Sequence, residues 1–181
     1  MRGKSHQSLG KYLAEHYMEN VPERYIRAFL IGCTQPDRNP ATYLKGSIRH
    51  QWLRGHNFHN AQRFMGRIAS RLEQKETWNL LDYYTLGKLI HYTADAFTYA
   101  HNDTFPTNLN DHRIYEAELQ EHFLGYLQED PLVTPLYART IMQAIYRCHS
   151  AYQEMPAGIC TDSHFALTAC CCVLTILFIK L

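Results

Sequence analysis

Five residues between His91 and Glu116 carry side chains that bind transition metals: His91, Asp95, His101, His112 and Glu116. His91 with Asp95, and His112 with Glu116, stand four residues apart. On a helix that spacing puts both members on one side and forms a two-toothed clamp. His101 falls between the two clamps. Imidazole nitrogens and carboxylate oxygens without thiolates suit zinc, and such a donor set is more typical of zinc that does chemistry than of zinc that holds a fold together. With 11 histidines in the chain, any single one at helical spacing carries little weight. Five metal-binding side chains in a specific order and spacing carry much more.

These side chains need rigid elements to hold them, and the hydrophobic periodicity supplies helix nearly throughout, without the sustained alternation that marks strands. Helices are expected over 7–19, 22–31, 41–48, 58–74, 77–98, 111–129, 134–153 and 162–180. Pro22 suits a first-turn position and Gly32 the end of the second helix. In the segment from Thr77, the residues Trp78, Leu81, Tyr84, Leu86, Leu89 and Ile90 line an apolar side, with His91 and Asp95 toward its C-terminal half. The expectation is an all-α, multi-helix bundle with donors projecting inward. No repeat, low-complexity run or linker divides the chain, so residues 1–181 read as a single domain.

The composition agrees. A chain of 181 residues, 46% hydrophobic and 19% charged, can bury a sizeable core. A net charge of +1 gives no general attraction to nucleic acid or acidic membranes, so any phosphate recognition must be local. The six cysteines include no C-x-x-C pair, and Cys170, Cys171 and Cys172 cannot all face one partner from a helix. They read as reduced thiols acting as small buried hydrophobes. Residues 165–181 are almost wholly apolar and stand at the short edge of a membrane span. With Asp162 and Ser163 as an N-cap, they read as a buried bundle helix rather than an inserted one. The first twenty residues lack an apolar signal core, which points to a cytoplasmic protein.

The run His91-Tyr92-Thr93-Ala94-Asp95-Ala96-Phe97-Thr98-Tyr99-Ala100-His101, followed by His112 and Glu116, resembles the signature of the zinc-dependent phospholipase C family, which is related to the single-strand-specific zinc nucleases. Two positions depart from that signature. Ala94 stands where the family usually has Gly before the Asp, and Tyr99 where it usually has Pro two before the second His. Further resemblance lies upstream. Gly32-Cys33-Thr34-Gln35-Pro36-Asp37 looks like the loop that ends in a metal-binding aspartate, and here it is expected to break helix on both sides of Asp37. A histidine should follow. His50, His56 and His59 are available, and His56 is preferred because Gly55 before it permits a tight backbone approach. His50 stays open as the competitor. His6, near a probable helix start, resembles the histidine of a third metal position. The secreted members complete that position with an N-terminal Trp, whereas this chain begins Met1-Arg2-Gly3-Lys4.

The resemblance implies an all-α zinc hydrolase of phosphate esters with two or three zinc ions. Asp37, His56, His91 and Asp95 would hold one ion, and His101, His112 and Glu116 a second. His6 and Asp95 would serve a third, with Asp95 bridging. Asp37 would also be the catalytic residue that takes a proton from the attacking water. A phospholipid head group or small phosphate ester is the expected substrate, and long nucleic acid is disfavoured by the lack of a basic stripe. Tyr92, Phe97, Tyr99 and Phe58 are available to stack on a base or enclose a cation, with core packing the competing role for at least half of them. The alternative reading is a zinc-binding or regulatory module that keeps the fold without turnover. Oligomeric state is not legible.

Overall fold

A computed structural model describes residues 1–38, 58–102 and 109–178, and among them it shows helices and no strand. In chain order these are α1 (Gly3–Tyr17), α2 (Glu23–Arg38), α3 (Phe58–Glu73), α4 (Leu80–Ala96), a 3-10 turn (Tyr99–His101), α5 (Leu109–Gln128), α6 (Ile141–Gln153) and α7 (Ile159–Phe178). The all-α expectation holds. The helix expected over 41–48, together with His50 and His56, lies outside the described residues.

α4 is the central support. It begins at Leu80 rather than Thr77, capped by Asn79, whose side chain accepts from the backbone N–H groups of Leu81 and Asp82 while the Asp82 carboxylate accepts from the N–H of Asn79. This reciprocal box satisfies backbone donors that a helix start leaves unpaired. Asp82 is also buried against Lys75 and Arg71, at 2.7 and 3.0 Å. Leu86, Leu89 and Ile90 face the core as expected. Leu81 does not, being 53% exposed on the outer side of the first turn.

α2 corrects two sequence expectations. Gly32 does not end it, and the Gly32–Asp37 stretch is not a loop: the helix runs to Arg38 with Pro36 inside its last turn. Gly32 has a packing role instead. A Cβ there would collide with the carbonyl oxygen of Tyr84, and one at Gly87 would collide with that of Phe29, so these two glycines let α2 and α4 cross with their backbones nearly touching. The close crossing brings Cys33 and the end of α2 to the donor-bearing half of α4.

The remaining helices enclose this pair. α6 starts at Ile141, not 134, since Pro131 and Pro135 oppose helix in the preceding segment. Thr140 caps it, and Glu73 of α3 accepts from the Ile141 N–H at 2.5 Å. α7 is 20 residues long with a mean hydropathy of 1.5, enough by length and composition to cross a membrane, yet Ala166–Leu174 is buried against α1, α4, α5 and α6. α7 also begins earlier than expected, at Ile159, so Asp162 and Ser163 are not its cap: Asp162 lies inside its first turn and Ser163 just after it, both buried. The cysteines are free thiols, all buried except Cys160. Tyr92, Phe97, Phe29 and Phe123 are fully buried, each contributing about 2 kcal/mol by removal from water.

Candidate metal centre

His91 and Asp95, one turn apart on α4, are both fully buried. Such polar burial is tolerable only with partners. The Nδ1 of His91 lies 2.9 Å from the carbonyl oxygen of Cys33 on α2. A carbonyl can only accept, so Nδ1 donates to it, the outer contact that commonly orients a metal-binding histidine and turns Nε2 toward the other donors. That Nε2 faces Asp95 Oδ2 at 3.2 Å and Asp37 Oδ1 at 3.6 Å. His6 arrives from α1, stacks on His91 with ring centres 3.8 Å apart, and places Nε2 3.2 Å from Asp95 Oδ1. His6, His91 and Asp95 thus offer three donor atoms within 4.8 Å of one another.

A second group stands beside the first and is less buried. His101, on the 3-10 turn, has Nε2 3.3 Å from Glu116 Oε1 and Nδ1 3.4 Å from Asp95 Oδ1. On α5, Nδ1 of His112 lies 3.7 Å from Glu116 Oε2, and the His101 and His112 rings are nearly parallel, centres 5.6 Å apart. The His101, His112 and Glu116 side chains are 12%, 32% and 16% exposed. They border a cleft of about 280 Å³ together with Met1, Arg2, Gly3 and Asp37. A larger cavity of about 560 Å³ shares the His101 wall and is lined by Phe58, Tyr99, Tyr146 and Tyr152 among others.

The ammonium group of Met1 marks where the donors converge on positive charge. It lies 2.8 Å from Asp95 Oδ1, 3.2 Å from Glu116 Oε1 and 3.5 Å from His101 Nε2. Burial acts to lower its pKa, but Asp95 and Glu116 outweigh this and push it up to about 10. The acids respond in turn. Burial would raise Asp95, yet the Met1 ammonium and then His101 hold its carboxyl well below the usual range. Burial would likewise raise Glu116, and the His101 hydrogen bond with the charges of Met1, His101 and His112 holds it far down. Burial and the neighbouring His91 push His6 down to about 4, keeping it neutral. His112 is lowered by burial, whereas Asp95 and Glu116 overcome burial and the ammonium to raise His101.

The residues present fit a divalent cation. The donors are nitrogen and carboxylate oxygen, Asp95 and Glu116 are held in their ionised forms, and Asp95 turns Oδ1 toward His6 and His101 and Oδ2 toward His91. Two further atoms, His6 Nδ1 and Asp37 Oδ2, are buried without a hydrogen-bond partner among the described residues.

The structure therefore gathers His6, Asp37, His91, Asp95, His101, His112 and Glu116 in one place. His56 lies outside the described residues, as does its competitor His50. His59 does not join the donors; it is on α3, lines the larger cavity and faces Gln62. Of the four aromatics, Tyr92 and Phe97 are core, while Phe58 and Tyr99 line that cavity. Sequence reasoning missed the Cys33 carbonyl, because a backbone acceptor 58 positions away from its histidine leaves no mark in residue types.

Comparison with known proteins adds one result. A sequence model described as "Zinc dependent phospholipase C" matches residues 5–158, which include every gathered donor residue and stop short of α7. No curated protein matches the chain, and no solved structure does.

Proposed function

Because the chain belongs to the zinc-dependent phospholipase C family, we propose that it hydrolyses phosphate esters at a centre of two or three zinc ions. The observation that carries this reading is the buried Asp95 carboxylate, with Oδ2 toward His91 and Oδ1 toward His6 and His101, a placement suited to joining two metal positions. His6, Asp37, His91 and Asp95 would hold zinc on the buried side, with His56 as a further candidate. His101, His112 and Glu116 would hold zinc on the open side.

Zinc bound there supplies Lewis-acid charge to phosphoryl oxygens and lowers the pKa of water toward neutrality. The chain does the rest. Cys33 keeps the His91 ring in one tautomer through its carbonyl. Asp37 borders the cleft beside His91, where its carboxylate would receive a proton from the attacking water. The cleft has room for a phosphate, and the neighbouring cavity, reached past His101, has room for an organic substituent against Phe58, Tyr99 and Tyr146. A phospholipid head group or a small phosphate ester fits this division, while a net charge of +1 offers little to a long nucleic acid.

Elemental mass spectrometry on protein prepared without chelator and supplied with zinc tests the metal content, followed by assay on a chromogenic phosphodiester. Two or three zinc ions per chain and hydrolysis that disappears on chelation are the expected results. Zinc uptake without hydrolysis of any phosphate ester would instead make the chain a non-catalytic zinc-binding module. Absence of tightly held zinc would remove both readings.

A further inference from the structure

Asp162, in the first turn of α7, is 1% exposed and accepts three hydrogen bonds. Its Oδ2 takes the backbone N–H of Tyr99 at 2.7 Å and the hydroxyl of Tyr115 at 2.8 Å, and its Oδ1 takes the hydroxyl of Tyr152 at 2.7 Å. Two of these donors belong to the pieces of chain that carry the open donor group. Tyr99 opens the 3-10 turn that ends in His101, and Tyr115 on α5 stands between His112 and Glu116.

Each contact restricts one piece. The first N–H groups of a helical turn lack partners within it. Thr98, at the cap position of the 3-10 turn, makes no side-chain cap bond, and its hydroxyl is turned to Ala94. Asp162 supplies the missing acceptor from another helix. Successive side chains on a helix are about 100° apart, so holding Tyr115 sets the rotation of α5 and the direction in which His112 and Glu116 point. The Tyr99 and Tyr115 rings also meet edge to face, with centres 5.7 Å apart. Proline at position 99 would have no N–H to give. Tyr99, the departure from the family signature, has one, and α7 provides its acceptor.

We infer that Asp162 is a positioning residue which, through Tyr99 and Tyr115, holds His101 in register with His112 and Glu116. The inference rests on the zinc reading for its functional meaning, and on geometry alone for the register itself. A merely structural carboxylate at the junction of α5, α6 and α7 would weaken the whole fold without preferring one donor group. A positioning carboxylate loosens the open group and spares His6, His91 and Asp95.

The test uses the full chain as Asp162→Ala, Asp162→Asn, Tyr115→Phe and Tyr152→Phe. The two tyrosine variants each remove one hydroxyl from the same carboxylate, but only Tyr115 lies on a donor-bearing piece. The first readout is amide hydrogen exchange of Tyr99–Asn102 in zinc-free protein. The second is zinc affinity of each group by competition, with the visible spectrum of the cobalt-loaded protein reporting coordination. Asp162→Ala should speed exchange at 99–102 by about tenfold or more and weaken the open group's zinc by about ten- to a hundredfold, the usual size of an outer-contact effect, with the buried group within about threefold. Asp162→Asn retains one acceptor oxygen and should recover most of the affinity. Tyr115→Phe should reproduce the loss at the open group, and Tyr152→Phe should not. Equal losses at both groups, no loss at either, or equal effects of the two tyrosine variants would overturn the inference. Should Asp162→Ala fail to fold, Tyr115→Phe set against Tyr152→Phe carries the same comparison. Local loosening at 99–102 in a protein whose wild type holds no zinc would uphold the register role and remove the zinc reading instead.

Discussion

The buried and open donor groups share Asp95 but are built by different physics. His6 and His91 are fully buried on α1 and α4; the crossing at Gly32 and Gly87 brings the Cys33 carbonyl to His91, and His6 stacks on the His91 ring. His101, His112 and Glu116 face a cleft from a 3-10 turn and the first half of α5. Their register depends on hydrogen bonds to one carboxylate from α7. Packing constraints are shared over many atoms and give way together with the fold. Hydrogen-bond constraints are few and can be cut singly. The buried group should therefore fail only with the helices, and the open group should fail alone.

The largest expected effect breaks the comparison by removing what the groups share. Asp95→Ala should cost both zinc positions and lower turnover about a thousandfold, equivalent to the several kcal/mol of charge stabilisation that a Lewis acid provides. Metal content and a phosphodiester assay on one preparation check it, and a variant that loses only one zinc would show that Asp95 does not bridge. Gly87→Ala comes next. A Cβ meeting the backbone of Phe29 forces α2 and α4 apart, at a cost of about 3 kcal/mol, and zinc at the buried group should weaken together with the fall in melting temperature. Retained stability with selective loss of the open group would reverse the contrast drawn above.

Smaller effects sharpen it. His112→Ala should weaken zinc at the open group by about a hundredfold, at least as much as loss of an outer contact, while the melting temperature of the zinc-free protein hardly changes because the His112 side chain is a third exposed. Competition titration and thermal melts separate the two quantities. The smallest effect is a control at the far end of α4. Burial would raise the Asp82 carboxyl, but the Asn79 N–H, Lys75 and Arg71 outweigh it and depress its pKa. A depressed acid adds stability that is present above its unfolded-state pKa and lost as pH falls through the folded value. Asp82→Asn should therefore cost about 1 kcal/mol at pH 7, the gap from wild type should close as the pH falls below about 4, and zinc affinity at both groups should stay unchanged. Thermal melts across that range check the sign.

Much of this was legible from residue types. The all-α class followed from periodicity, and seven of the eight named metal residues, chosen by type, spacing and resemblance, converge in space; the eighth, His56, lies outside the described residues. Where local rules failed, a distant contact had changed the meaning of a residue. Gly32 reads as a helix stop until α4 crosses it, and Asp162 reads as an N-cap until Tyr99, Tyr115 and Tyr152 reach it. Pro36 reads as a breaker, and the helix does stop just after it, two residues on at Arg38.

The sequence by itself determined which chemistry is available: donors of nitrogen and carboxylate type, paired at helical spacing on α4 and α5. Helix geometry is local, so i and i+4 face together whatever the rest of the chain does. Only the tertiary structure decided which donors share a space, that Asp95 turns an oxygen to each group, that Cys33 orients His91, and that a carboxylate from α7 holds the open group in register. Those outcomes are set by side chains and carbonyls many tens of residues apart. They come into being only when burial of the helix faces makes the distant pieces neighbours.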